Sequence, residues 1–315
     1  MTTTKFNLLS LLALVAVAVT SASNLRMMQE EMATTEQTAG PTTDATTEAT
    51  IEQTKEALQT EAFDPPTTSN TTSEPASDGG GGSDAWPAWD AGRVYDFTTE
   101  SGVDFNYCTS MENGRDKANH HIFLLHGASF SKKIWSADRT GILDDFCSSP
   151  GIRVSALNLP VSANFTELQV AIEEVETVTR TWPGDKIQPV VLVTPSASGW
   201  SMVSAMVSDN VGGLWKKVPK FIDVWVPVAT GSLERATDKQ IAGAVFENDI
   251  PVLAIYGRND TEGKQLSRRL GMVGQEFNGT AKVLELERGG HSIYIQRPLA
   301  FVREIIDFII VNSDE

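Results

Sequence analysis

From residue 94 onward the chain sets short β-branched apolar runs between longer amphipathic stretches, and that alternation leaves few folds open. The runs are VYDFT (94–98), VDFNYC (103–108), HIFLL (121–125), IRVSAL (152–157), VVLVT (190–194), FIDVWVPV (221–228), PVLAIYG (251–257) and AKVLEL (281–286). Strands separated by helix-length segments predict an α/β sheet, and the middle runs are apolar almost throughout, as parallel strands covered on both faces must be. The first two alternate more and read as an antiparallel hairpin at one edge. Helix candidates lie near 132–148, 165–181, 198–213, 236–246, 262–273 and 297–311. In the last, Val302, Ile305, Ile306, Ile309 and Ile310 share one helical face, and Pro298 stands near the start, where its missing N–H costs nothing. There is no internal repeat and no GxGxxG after a strand.

The segment before this core is a different material. Residues 6–19, FNLLSLLALVAVAV, follow the lone charge of Lys5 and lead into small residues at 20–23, the pattern of a secretory signal peptide over 1–22. The run is short for a permanent span, which needs about 20 apolar residues. Export is therefore expected and stable membrane insertion is not; an uncleaved signal-anchor is the alternative. Residues 23–85 are rich in Thr, Ser, Glu, Ala, Gln and Pro, with 12 acidic residues against 2 basic over 24–85. Such a stretch has too little apolar surface to offset its ordering entropy and is expected to be a disordered acidic stalk or linker. Residues 86–315 are left for one globular domain, whose net charge near −7 argues against a nucleic-acid partner. Cys108 and Cys147 are open to two readings, a disulfide in an oxidising compartment or two buried thiols. No CxxC or Cys/His spacing suits a metal, and no cofactor is expected.

The segment with the most chemistry in it is VVLVTPSASGW, residues 190–200. An apolar strand ends at Thr194, small residues surround Ser196, and a helix follows. A nucleophile elbow needs this order, because its serine sits at a strained strand-to-helix turn whose second neighbours must be small. Those neighbours are commonly glycines; here they are Thr194 and Ser198, so an ordinary Ser-rich turn is the competing reading. Upstream, FLLHGASF (123–130) ends a strand at His126-Gly127, and the following loop is placed to give an oxyanion hole one backbone N–H, from Ala128. The residue after the nucleophile, Ala197, would give the other.

Downstream, PVLAIYGRND puts Asp260 three residues past a strand end, and LERGGHSIYIQRP puts His291 just after the next strand. Histidine there can serve Ser196 as general base while the aspartate fixes its tautomer. The plain alternatives are a helix cap for Asp260 and a turn residue for His291. His126 reads as structural, since the triad already has its base, and His120 and His121 read as edge residues. Trp200 lines a pocket or packs in the core.

At these segments, together with the IRVSALNLP strand and FIDVWVPVAT, the chain over about 92–312 resembles the α/β-hydrolase superfamily and, within it, the abhydrolase domain-containing protein 14 group. The group shares the P-S-x-S-G elbow. The resemblance implies a mostly parallel sheet of about eight strands with helices on both faces, no metal, and hydrolysis of esters or acyl groups, with deacetylase activity proposed for one member. Most members carry D-x-P-G-x-G after the fourth strand, where this chain has Asn158 to Asn164, and they lack the acidic stalk. Only about 20 residues separate the runs at 221–228 and 251–257, where larger hydrolases insert a lid, so little or no cap and an open pocket for a small acyl substrate are expected.

The expected function is thus an exported serine hydrolase acting through an acyl-enzyme on Ser196. A non-catalytic binding or cell-surface module on the same scaffold is the alternative, motivated by the stalk and by the sequon Asn259-Asp260-Thr261 over the expected acid. Further sequons begin at Asn70, Asn164 and Asn278. No protein partner is identified.

Overall fold

The computed structural model describes residues 90–110, 120–179, 189–208, 218 and 221–313. The leader expected at 1–22 and the stalk at 23–85 lie outside the described residues, and the chain divides into the units Met1–Gly80 and Gly81–Glu315. Within the second unit, eight strands form one sheet: β1 Tyr95–Thr98, β2 Asp104–Thr109, β3 His120–Leu124, β4 Ile152–Leu157, β5 Val190–Pro195, β6 Val224–Val228, β7 Val252–Gly257 and β8 Ala281–Leu286. Their order is β1-β2-β4-β3-β5-β6-β7-β8. β2 pairs antiparallel with β1 and β4, and every pairing from β4 to β8 is parallel.

Strand period two sorts side chains between two cores. On β5, Val190 and Leu192 face a layer made by α2 (Phe165–Thr179), α3 (Trp200–Val207), α4 (Asp238–Ala244) and α5 (Thr261–Glu276). Val191 and Val193 face the other layer, built from α1 (Ile142–Cys147), α6 (Ile293–Gln296) and α7 (Pro298–Ser313). β3 to β7 are buried at every position, whereas β1 alternates between half-buried and exposed, as an edge strand does. This order and layering are the α/β-hydrolase fold.

Three local expectations change. The helix near 132–148 is interrupted: a 3-10 turn at Lys132–Trp135 is separated from α1 by a loop that closes on Gly141, whose φ of 68° is left-handed. The 221–228 run pairs only from Val224. His120 and His121 are not edge residues, because β3 lies between β4 and β5 and both side chains are buried.

The two cysteines join as Cys108–Cys147, with Cα atoms 5.9 Å apart, tying β2 to the end of α1. Between β6 and β7 there is no cap domain. A 3-10 turn (Gly231–Arg235), α4 and a second short turn (Phe246–Asn248) fill the connection. Arg269 of α5 pins this stretch, donating to the carbonyls of Leu233 (2.9 Å) and Ala236 (2.6 Å) and to Asp238 (2.6 Å).

The disulfide closes a loop of 39 residues. Replacing both cysteines with serine should lower unfolding free energy by about 2–4 kcal/mol, measured by urea denaturation.

Candidate active site

β5 ends at Pro195, and the chain turns at Ser196 with φ of +54° before a single 3-10 turn, Ser196–Gly199, runs into α3. A left-handed backbone at a residue with a Cβ costs roughly 1–2 kcal/mol. Pairing of Pro195 with Val228 holds the strand end in place while the turn forms. The neighbouring strand ends the same way, with Ala229 at φ +49°.

The atypical elbow residues each have a task. Thr194 is fully buried; its hydroxyl accepts the Trp225 indole N–H (3.0 Å) and its carbonyl accepts the Thr230 hydroxyl (2.9 Å). Ser198 donates its hydroxyl to the Pro195 carbonyl (2.8 Å), bridging the turn around Ser196. The close approach that a glycine must permit has moved one residue on. A Cβ on Gly199 would stand 1.9 Å from Thr230 Cγ2.

Ser196, His291 and Asp260 come together at hydrogen-bond distance. His291 Nε2 lies 2.7 Å from Ser196 Oγ, and His291 Nδ1 lies 2.9 Å from Asp260 Oδ2. Asp260 is buried while the His291 side chain is 48% exposed, so the line runs from the interior to an open surface. Asp260 makes two contacts at once, one with each carboxylate oxygen. Its Oδ1 accepts the Gly263 N–H (3.0 Å) and caps α5, which leaves Oδ2 for the imidazole. Gly263 makes that possible, because a Cβ there would be 2.3 Å from Asp260 Oδ2. The turns carrying acid and histidine are bedded against each other: Asn259 donates its N–H to the Gly289 carbonyl (2.9 Å), and a Cβ on Gly257 would strike the Gly290 carbonyl at 2.3 Å.

The loop after β3 borders the serine. A Cβ built on Gly127 would fall 3.8 Å from Ser196 Cβ and 3.4 Å from the Tyr294 hydroxyl. Ala128, next in the chain, is exposed, and Ala197 is half-buried in the first turn after the elbow, where N–H groups have no partner within the helix. His126 is buried with Nδ1 against the Gly127 carbonyl (3.0 Å), within its own loop. Tyr294, three residues past His291, stacks on Trp135 (4.8 Å between centroids), and burial pushes its phenol up to about 12, so it stays protonated at any physiological pH. Trp200 packs half-buried against the core, its ring covered by Arg235 at 5.0 Å.

A second Ser–His–carboxylate line, which sequence reading missed, runs through the sheet interior. His121 Nε2 meets Ser155 Oγ at 2.8 Å, and its Nδ1 meets Glu176 of α2. Ser155 and His121 are both fully buried, so no substrate carbonyl reaches that hydroxyl. Its polar groups satisfy one another across β3, β4 and α2, as buried polar groups must. The two lines set the same kinds of group in the same order, but Ser155 lies within a buried strand and Ser196 stands on a left-handed turn.

No family model matches the chain. Over 60% of its length it is similar to proteins named ABHD14A, being 26% identical over 192 residues to that of Danio rerio and 24% identical over 192 residues to that of Mus musculus. It spans 63% of the length of the first and 69% of the second. Among solved structures, a CIB-like hydrolase from Thermoplasma acidophilum aligns with a TM-score of 0.49 at 17% identity, covering 69% of this chain and 98% of that one. Carboxylesterase CesB from Bacillus subtilis aligns with a TM-score of 0.47 at 12% identity, covering 69% and 92%.

Because a Cβ at Gly199 has nowhere to go, Gly199→Ala should destabilise the fold by about 1–3 kcal/mol, read as a lower urea midpoint.

Proposed function

We propose that this chain, an α/β-hydrolase by fold that resembles ABHD14A, is a serine hydrolase that cleaves small acyl esters or acyl groups. One observation carries the reading: an exposed Ser196–His291–Asp260 line with contacts of 2.7 and 2.9 Å, built on a left-handed elbow. Ser196 Oγ attacks the acyl carbonyl as His291 Nε2 takes its proton. Asp260 holds the Nδ1–H tautomer and stabilises the imidazolium. The carbonyl oxygen, now charged, is received by the N–H groups of Ala128 and Ala197. His291 then protonates the leaving group, and water activated by the same imidazole releases the acid from the acyl-enzyme.

The absence of a cap between β6 and β7, with His291 half exposed, supports a substrate presented at an open surface rather than enclosed. Export is supported by the apolar run at 6–19 and by the Cys108–Cys147 disulfide, a bond that persists in oxidising compartments. A tethered form, held by an uncleaved leader, has the same active site.

The sequon at Asn259 favours the module reading, since Asn259 and Thr261 are both exposed beside the buried acid. Peptide mass spectrometry of the native protein separates the two: full glycan occupancy at Asn259 together with no turnover would remove the enzyme reading.

Ser196→Ala should abolish both fluorophosphonate labelling and hydrolysis of p-nitrophenyl acetate; labelling at full strength would show the elbow to be misassigned. Asp260→Asn keeps an N-cap oxygen while leaving the imidazole with the wrong tautomer. It should cut kcat by up to about 10⁴-fold and shift unfolding free energy by under about 1 kcal/mol.

A further inference from the structure

The loop that borders Ser196 is exposed at its tip, and Phe130 at its far end packs against the core with its ring 6.4 Å from that of Tyr294. Ala128 and Ser129 are exposed, and the loop's own turn is closed by the Phe130 N–H on the Gly127 carbonyl (3.1 Å). On one side it leaves β3, where the Leu125 N–H donates to the Val193 carbonyl (3.1 Å). On the other it enters the 3-10 turn that begins at Lys132. Lys132 is an unusual lysine, with only 6% of its side chain exposed. Its ammonium donates to Asp96 of β1 and to Asp104 of β2 together. Asp104 takes a further donor besides Lys132, the Asn158 side-chain amide (3.0 Å), from the loop after β4. Burial opposes ionisation of Asp104, but Lys132 and Asn158 outweigh it and hold the carboxyl below the usual range.

The residue types in this clamp fit one another. An aspartate at 158 would set a second carboxylate against Asp104, whereas asparagine donates to it. The Lys132 side chain is buried while Asp96 is 71% and Asp104 33% exposed, so a buried cation is tied to partly solvated carboxylates, and such a cation is retained only with partners that compensate its lost hydration.

We propose that Lys132 is a positioning residue for catalysis: the clamp from its buried ammonium to Asp96 and Asp104 holds the 127–131 loop so that the Ala128 N–H stays aimed at the oxyanion forming beside Ser196. The inference rests on the serine-hydrolase reading above. A loop that drifts by an ångström loses transition-state stabilisation while still admitting substrate, so the loss falls on kcat.

The test uses the full chain and p-nitrophenyl acetate. Lys132→Met should lower kcat by about tenfold or more with KM changed less than about twofold, and Lys132→Arg, which keeps the cation, should recover most of it. A folded Lys132→Met protein with kcat within twofold of wild type overturns the proposal, as does failure of Lys132→Arg to restore activity, which would assign the effect to packing. If Lys132→Met does not fold, Asp104→Asn is measured instead. A smaller fall in kcat at constant KM supports the clamp, and unchanged kcat overturns it. Ser196→Ala run in parallel separates the two failures: if it retains turnover the hydrolase reading falls, and if it is dead while Lys132→Met is fully active only the clamp falls.

Discussion

The left-handed backbone at Ser196 follows a strand gripped on both sides, by β3 as far as Val193 and by β6 as far as Pro195. Everything at the site is measured from that point. The strain lifts the hydroxyl off the strand end, and α3 starts directly beneath it. The usual glycine pair is absent, and the elbow is braced instead by side-chain hydrogen bonds. Thr194 ties to Trp225 and Thr230, and Ser198 ties back to Pro195. Only at Gly199 does backbone still need the space that a side chain would fill.

Asp260 shows how one carboxylate can cap a helix and face an imidazole at the same time. The cap on α5 fixes Oδ1, so Oδ2 has a single orientation left, and His291 is found there. Its neighbours add to this economy. Gly263 leaves room for the carboxylate, and the Gly289-Gly290 turn lies directly on Gly257, so the acid and histidine loops are packed against each other. The aromatic stack of Tyr294 on Trp135 then joins the histidine side of the site to the loop after β3.

The interior line through Ser155, His121 and Glu176 sharpens what makes a triad useful. Its carboxylate is a glutamate and its serine lies inside a strand, whereas Ser196 stands on a left-handed turn. Burial separates the two lines further. Where the serine is fully enclosed, the hydrogen bonds serve only to satisfy polar groups between sheet and helix; where the histidine is half exposed, the imidazole is open to a substrate, as the proposed mechanism requires.

Much of this is legible in the chain itself. Continuous apolar runs such as VVLVT mark strands buried on both faces, and their spacing implies helices between them, because periodicity is a local property. Ser196, Asp260 and His291 stand at strand ends in the right order, so position along the chain is enough to single them out. What a linear pattern does not express is contact across distance. Thr194 bonding to Trp225, Gly199 meeting Thr230, Lys132 reaching Asp104 and His121 lying at the sheet centre all depend on strand order, which brings β3 between β4 and β5. Local pattern determined the elements and the residues that could do chemistry; only the tertiary pairing of strands decided which of two serines meets solvent, because exposure is set by what the rest of the fold covers.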